Sequence, residues 1–384
     1  MTARIMIGGA IAHHPLNGGG TTWLFLQYVL GFRALGFDTC YVEHIDAQDC
    51  IDDHWQRTSF AESANYRYFT DVVEQFGLNG RAALLLRETS VSAGLTHAEV
   101  EALAGDADLF INMSGRFHLR PILNAARRRM YLDLDPGFTQ IWQQRYGVDM
   151  NLPGHDAYVT VGLNLGAPNC PLPTCGIDWH TTLPPVVLDQ WVTSREPGPA
   201  YSTVADWRGY SPVEWNGVWY GQKSEEFLRI IDLPQRAKAP LELCLAIHPD
   251  EPERDRLVAN GWRLTSPSDH AATVNAYRNY IQGSRGEFTV VKHGYAAGNT
   301  GWVSDRSVCY LGAGRPVIIQ DTGITPYLPT GRGLLTFTDR DSAATAIATV
   351  EDDYHTHASA ARTFAREHLD SAHVLPRLLR IAGI

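Results

Sequence analysis

Phe288-Thr-Val-Val-Lys292-His293-Gly294-Tyr295-Ala-Ala-Gly298-Asn299-Thr300-Gly301-Trp302-Val-Ser304-Asp305-Arg306-Ser307, continued by Leu311-Gly312-Ala313-Gly314-Arg315-Pro316-Val-Ile-Ile-Gln320-Asp321-Thr322-Gly323, reads as strand, loop, helix, turn and strand. The β-branched run ends at Lys292, a glycine-bearing loop follows, and Ser304 stands in the N-cap position of the next helix. Gly314 ends that helix, and an apolar strand runs out to Asp321. Strand, helix and strand in series form a parallel crossover unit, and such sheets bind ligands beyond the carboxyl ends of their strands. A helix N-terminus at that edge offers unpaired N–H groups to an anion such as phosphate. Lys292, Ser304, Asp305 and Arg306 are therefore candidate anion-binding residues, with Gly294, Tyr295, Thr300, Gly301, Asp321 and Thr322 in the flanking loops.

The same alternation extends outward. Strands are expected at 202–207, 241–247, 262–265, 288–292 and 316–320, with helices at 224–231, 251–260, 271–283, 304–313, 342–350 and 355–379. The first half repeats the scheme. Its opening apolar run, 5–12, leads into Asn17-Gly18-Gly19-Gly20 and a helix over 23–35 capped by Thr21 or Thr22, and Gly36 precedes a second strand at 37–44. A helix over 53–76 follows, then strands at 108–113, 130–134 and 158–161, without hairpin signals. Residues 164–199 are dense in proline and glycine and read as a linker. The expected architecture is α/β: two Rossmann-like domains, 1–198 and 199–384, facing across a cleft, with the last helix crossing back to the first.

With 32 Lys+Arg against 42 Asp+Glu the formal charge is −10, which disfavours non-specific nucleic-acid or anionic-membrane binding. No apolar run approaches a membrane span, and the apolar start reads as a buried first strand rather than a secretory signal, so a cytoplasmic protein is expected. Only Lys223, Lys238 and Lys292 are lysines, and the Ala-, Gly- and Arg-rich composition suits a GC-rich bacterial genome. The six cysteines show no metal-binding spacing. Cys170 and Cys175 could bridge, but free buried thiols are expected, and no metal site.

The 288–323 stretch resembles the C-terminal half of GT-B glycosyltransferases, above all in Leu311-Gly312-Ala313-Gly314-Arg315-Pro316-Val317, and the opening strand, glycine loop and long helix are similar in style to their acceptor half. The resemblance implies a nucleotide-diphosphate sugar donor, a hydroxyl or other nucleophile on a small acceptor, and no cofactor or metal. It places Asp321 and Thr322 near the transferred sugar, and it gives Lys223 the role of a lysine that closes on the diphosphate; His248, at another strand end, joins this set. The glutamate pair of many retaining enzymes is absent: Cys309 and Tyr310 stand where the second would fall. The plant-type His-Cys-Gly-Trp-Asn-Ser signature is not intact either, and an inverting outcome is favoured.

On the acceptor side His13 and His14 follow the first strand, where an imidazole suits proton abstraction from a hydroxyl, and His14, further into the loop, is the preferred base. Asp135 is its expected orienting partner or its substitute; Gly18, Gly19, Gly20 and His155 are acceptor-side candidates. Bacterial natural-product or cell-surface biosynthesis is the expected setting. The rival readings are a non-hydrolysing nucleotide-sugar epimerase and a non-catalytic nucleotide-sugar-binding protein. A nicotinamide dehydrogenase is disfavoured because Gly18-Gly19-Gly20 does not give GxGxxG.

Overall fold

The structure, a computed structural model, describes residues 3–384. Its first sheet comprises β1 (Arg4–Gly8), β2 (Asp38–Ile45), β3 (Ala82–Leu86), β4 (Ser92–Gly94), β5 (Leu109–Met113), β6 (Arg129–Asp133), β7 (Ala157–Thr160) and β8 (His180–Thr181), in the order β4-β3-β2-β1-β5-β6-β7-β8. The second comprises β9 (Tyr201–Asp206), β12 (Leu241–Ala246), β13 (Arg263–Thr265), β14 (Gly286–Thr289), β15 (Val317–Gln320) and β16 (Leu334–Phe337), in the order β13-β12-β9-β14-β15-β16. Among the described residues, only the β3–β4 pair is antiparallel within the two sheets. A separate hairpin, β10 (Val213–Trp215) and β11 (Val218–Tyr220), follows β9.

Both sheets reverse strand order beside their first strand. In one, β1 lies between β2 and β5; in the other, β9 lies between β12 and β14. Such a switch point is where connections leave in opposite directions and open a crevice at the strand ends. Ile5 pairs with Thr39 on one side and Leu109 on the other, fully buried, so β1 is apolar on both faces.

The helix Gly19–Ala34 joins the two halves. Trp23 donates Nε1–H to the carbonyl of Val274 at 2.8 Å and packs on Trp191 with ring centroids 5.0 Å apart. Gly19 N–H donates to the carbonyl of Ala271 at 2.8 Å. A Cβ on Gly31 would meet Leu375 at 2.6 Å, so that glycine admits the C-terminal helix Ser371–Ala382 against it.

Several elements differ from the expectation. The helix expected over 53–76 is confined to Ala64–Gln75, because Ser63 caps it by accepting from Tyr66 N–H. Neither Thr21 nor Thr22 caps the helix Gly19–Ala34. Gly18 is its N-cap, and the Thr22 hydroxyl instead bonds that of Tyr68 at 2.8 Å. The helix expected over 355–379 is broken into Tyr354–Phe364, a π-helical turn Ala365–Leu369 and Ser371–Ala382, with Asp370 capping the last. Two antiparallel pairs went unforeseen: β3–β4, and the hairpin turned by Asn216 and Gly217, both at positive φ as a type I′ turn requires. All six cysteines are free.

A Cβ on Gly19 would lie 2.4 Å from the carbonyl oxygen of Thr273 and 2.7 Å from that of Ala271, both rigid backbone atoms. Gly19→Ala should therefore destabilise the protein by about 1–3 kcal/mol, as overpacking does. Gly105→Ala, whose added methyl meets nothing within 4 Å, should stay within about 0.5 kcal/mol of the parent. Thermal and denaturant unfolding of the two variants check the contrast.

Candidate active site

A cleft of about 550 Å³ lies where the two switch points face each other. Its walls come from the segments that leave the four strands beside those points: Ala10 and His14 after β1, Ser114 and Arg116 after β5, Asp206 and Tyr210 from β9, and Lys292 and Tyr295 after β14. The helices Gly19–Ala34 and Asp305–Gly312 present their N-terminal turns to it through Gly20, Thr21, Ser304, Asp305 and Arg306, with Lys223 between. The partial positive charge of a helix N-terminus thus enters from both walls.

Four cations line the cleft and differ in their partners. Lys292 ion-pairs across it with Asp135 at 3.2 Å and also bonds Tyr210, which itself donates to Asp135 at 2.7 Å. Tyr295 donates to the same carboxylate. The Lys292 ammonium lies 4.1 Å from the Tyr210 ring centroid. Burial pulls its pKa down against the opposing pull of Asp135. Arg306 donates Nε–H to Glu287 at 2.6 Å and Nη2–H to Thr289 at 2.9 Å; burial opposes its charge most, but fully buried Glu287 together with Tyr277 and Asp305 raises its pKa. Lys223 has no ion pair among the described residues. Burial, with Arg306 and Lys292 nearby, brings its pKa down to about 7. Arg116, exposed, also lacks a carboxylate partner among the described residues. The available positive charge of the donor-side wall is thus Lys223.

His14 faces the cleft from the loop after β1. It is open to solvent, but the concave wall desolvates it, and His13 and Arg116 add to the effect, so its pKa falls and the ring is a neutral proton acceptor. His13 turns away to Glu43, with Nδ1 2.7 Å from Oε1. Asp135 bonds neither histidine: its carboxylate is occupied by Lys292, Tyr210 and Tyr295, so the expected His14–Asp135 pair does not form.

Other expected positions serve the scaffold. Ser304 caps its helix by accepting from Arg306 N–H at 3.2 Å. The loop holding Gly294, Thr300 and Gly301 docks on residues 162–170 of the first half rather than opening to the cleft: Leu163 and Asn164 N–H donate to the carbonyls of Gly301 and Thr300. A Cβ on Gly294 would meet Phe138 at 2.6 Å. Asp321 binds Gly323 N–H in a turn, and Thr322 donates to the carbonyl of Trp302, so both are held within the loop. His248 is exposed outside the cleft, beside Asp250. His155 is a core residue between Leu152 and Asn112. Gly18 and Gly19 serve close packing, and only Gly20 of the three glycines lines the cleft. Arg116, Asp206 and Tyr210 were not singled out from sequence, although the strand-end rule applied to 108–113 and 202–207 points to them. No group of three His, Cys, Asp or Glu side chains is arranged to hold a metal among the described residues.

No protein-family model matches the chain, and no curated protein matches its sequence. Solved structures do match its fold. An alpha-glucosyltransferase in complex with UDP and a 13-mer DNA aligns over 100% of both chains at TM-score 0.59 and 11% identity. HepE of Anabaena, in complex with UDP and glucose, aligns over 98% of both chains at TM-score 0.59 and 13% identity. AviGT4, a glycosyltransferase involved in avilamycin A biosynthesis, covers 99% of this chain and 97% of its own at TM-score 0.53 and 11% identity. The chain therefore has the GT-B glycosyltransferase fold, two parallel α/β sheets facing across a cleft, as the 288–323 stretch implied.

The Arg306–Glu287 pair shapes one wall of this cleft from inside the protein. Arg306→Ala should lower stability by about 3–5 kcal/mol, because it strands a buried carboxylate. Arg306→Leu combined with Glu287→Leu should recover most of that loss in denaturant unfolding.

Proposed function

We propose that the protein transfers a sugar from a nucleotide-diphosphate sugar to a hydroxyl of a small acceptor, with inversion at the anomeric carbon and without metal or cofactor. One observation carries this reading. The cleft between the two switch points has an unpaired lysine and a helix N-terminus on one wall and a neutral histidine on the other. Two of the structural neighbours hold UDP in their complexes, which favours a nucleoside diphosphate as the leaving group here. In this scheme Lys223 and the N-terminal turn of the helix Asp305–Gly312, through the Asp305 N–H, meet the diphosphate and take up the charge that develops as the leaving oxygen departs. His14 accepts the proton of the acceptor hydroxyl as the new C–O bond forms. The net charge of −10 favours a small acceptor over nucleic acid, although one neighbour is bound to DNA. A soluble bacterial enzyme of natural-product or cell-surface tailoring fits this scheme. No helix among the described residues is long and apolar enough to cross a membrane.

Asp135, Asp206 and Asp305 also line the cleft, and such carboxylates are what an epimerase of the same plan would use. Incubation with UDP-, dTDP-, GDP- and ADP-sugars alone separates the readings. Slow release of free sugar and nucleoside diphosphate supports the transferase, an isomerised donor identifies an epimerase, and binding without turnover marks a binding protein. With an acceptor in hand, His14→Ala should lower kcat by roughly 10²–10⁴ with donor affinity unchanged by calorimetry. Near-normal kcat in that variant removes His14 as the base.

A further inference from the structure

Four neighbouring strands of the first sheet, in the order β3-β2-β1-β5, each deliver a basic side chain at the carboxyl end: Arg87, His44, His13 with His14, and Arg116 with His118. The proposed transfer uses only His14 of these. His44 and His118 have ring centroids 5.6 Å apart, and His44 is only 7% exposed with its Nδ1 lacking any hydrogen-bond partner. A buried ring nitrogen left without a partner is costly, and a ligand group that supplies one removes the cost.

The carboxylates here are largely spent. Glu43 is fully buried against His13 at 2.7 Å, and Asp46 holds Arg87 at 2.5 Å. Asp149, Arg116 and Arg120 all lie near His118, Asp149 binding Asn151 N–H at 2.8 Å and Arg120 donating to the Pro153 carbonyl at 2.9 Å. The crowding is sensed by the rings: burial first, then His118, Arg87 and His13, bring the pKa of His44 down to about 4. The presentation is also built rather than loose. Ser114 and Gly115 take positive φ, and Asn151 Nδ2–H donates to the carbonyls of Gly115 and Phe117, both at 2.9 Å, while Asn112 Oδ1 accepts from Phe117 N–H at 2.9 Å. A non-glycine residue in that conformation persists where its surroundings over-determine it. The loop is thereby fixed with Arg116 toward the cleft and His118 beside His44.

We propose that this rim is an anion subsite, and that the acceptor carries a carboxylate or phosphate group beside the hydroxyl that receives the sugar. The subsite stands on the geometry alone; calling its occupant an acceptor rests on the glycosyltransferase reading. Arg116 at the cleft supplies the charge, and the adjacent rings of His44 and His118 supply hydrogen-bonding nitrogens, a set complementary to an anionic partner.

The test is a titration of ¹³C-histidine-labelled protein, in the presence of saturating UDP, with inorganic phosphate, sodium acetate and sodium chloride. The His44 and His118 resonances are assigned through His44→Gln and His118→Gln. The expected result is a saturable shift of both signals with phosphate or acetate but not chloride, weakened at least about tenfold in Arg116→Gln, the worth of one hydrogen bond to a charged group. Saturation by phosphate alone indicates a phosphorylated acceptor, and by acetate alone a carboxylate. A response that is linear and equal for all three salts, or unchanged in Arg116→Gln, overturns the proposal. So does a phosphate response abolished by UDP, which would place the anion in the diphosphate pocket. Failure of UDP itself to bind counts against the donor reading and leaves the histidine readout valid.

Discussion

Everything about the cleft depends on how the helix Gly19–Ala34 is enclosed. Thr22, Trp23, Phe25, Leu26, Tyr28, Val29 and Phe32 are buried around its whole circumference, which a helix on one face of a sheet does not require. The first sheet covers one side. The helix Val274–Gly283 and the C-terminal helix cover others, and the Trp23–Val274 hydrogen bond and Gly19–Ala271 contact fix the approach. Because this helix leaves the loop after β1, its docking sets the distance between His14 and the opposite wall. Core packing thus fixes the geometry in which donor and acceptor would meet.

Electrostatics then divides the labour within the cleft. In a chain of net charge −10, the cations that reach the cavity fall into two kinds. Lys292 and Arg306 are consumed by Asp135 and Glu287, and they tie the halves or brace a wall. Lys223 and Arg116 are uncommitted, one on each side. The low pKa of Lys223 is the consequence of holding a cation in a half-enclosed site beside two others.

The fold was legible in the sequence because buried parallel strands are continuous apolar runs. Ile5–Ile7, Leu109–Met113 and Val317–Ile319 show this plainly, each flanked by helical patterns. The parallel strands β3 and β16 escaped, together with the antiparallel pieces: β4 is three residues long, and the Asn216-Gly217 turn sits among tryptophans that drew attention to packing. At the site, His14, Lys223 and Lys292 line the cleft at strand ends, a placement that depends only on topology. The particular partners were not legible. Nothing local in the sequence says that Asp135 meets Lys292, 157 positions away, or that the Gly294–Gly301 loop turns its backbone to residues 162–170 instead of a ligand. Such pairings arise only when two domains close, and they decide whether a charged side chain is free or spent.

The central claim is that Lys223 waits, partly deprotonated, for the negative charge of a nucleoside diphosphate. The most direct measurement is calorimetry of UDP binding in buffers of different ionisation enthalpy across pH 6–9, for the parent protein and Lys223→Met. A bound diphosphate would raise the Lys223 pKa from its free value of about 7. Binding should therefore take up a proton above that pH, and affinity should fall as pH rises through it, both effects disappearing in Lys223→Met. Proton uptake and pH dependence identical in the two proteins would contradict the account.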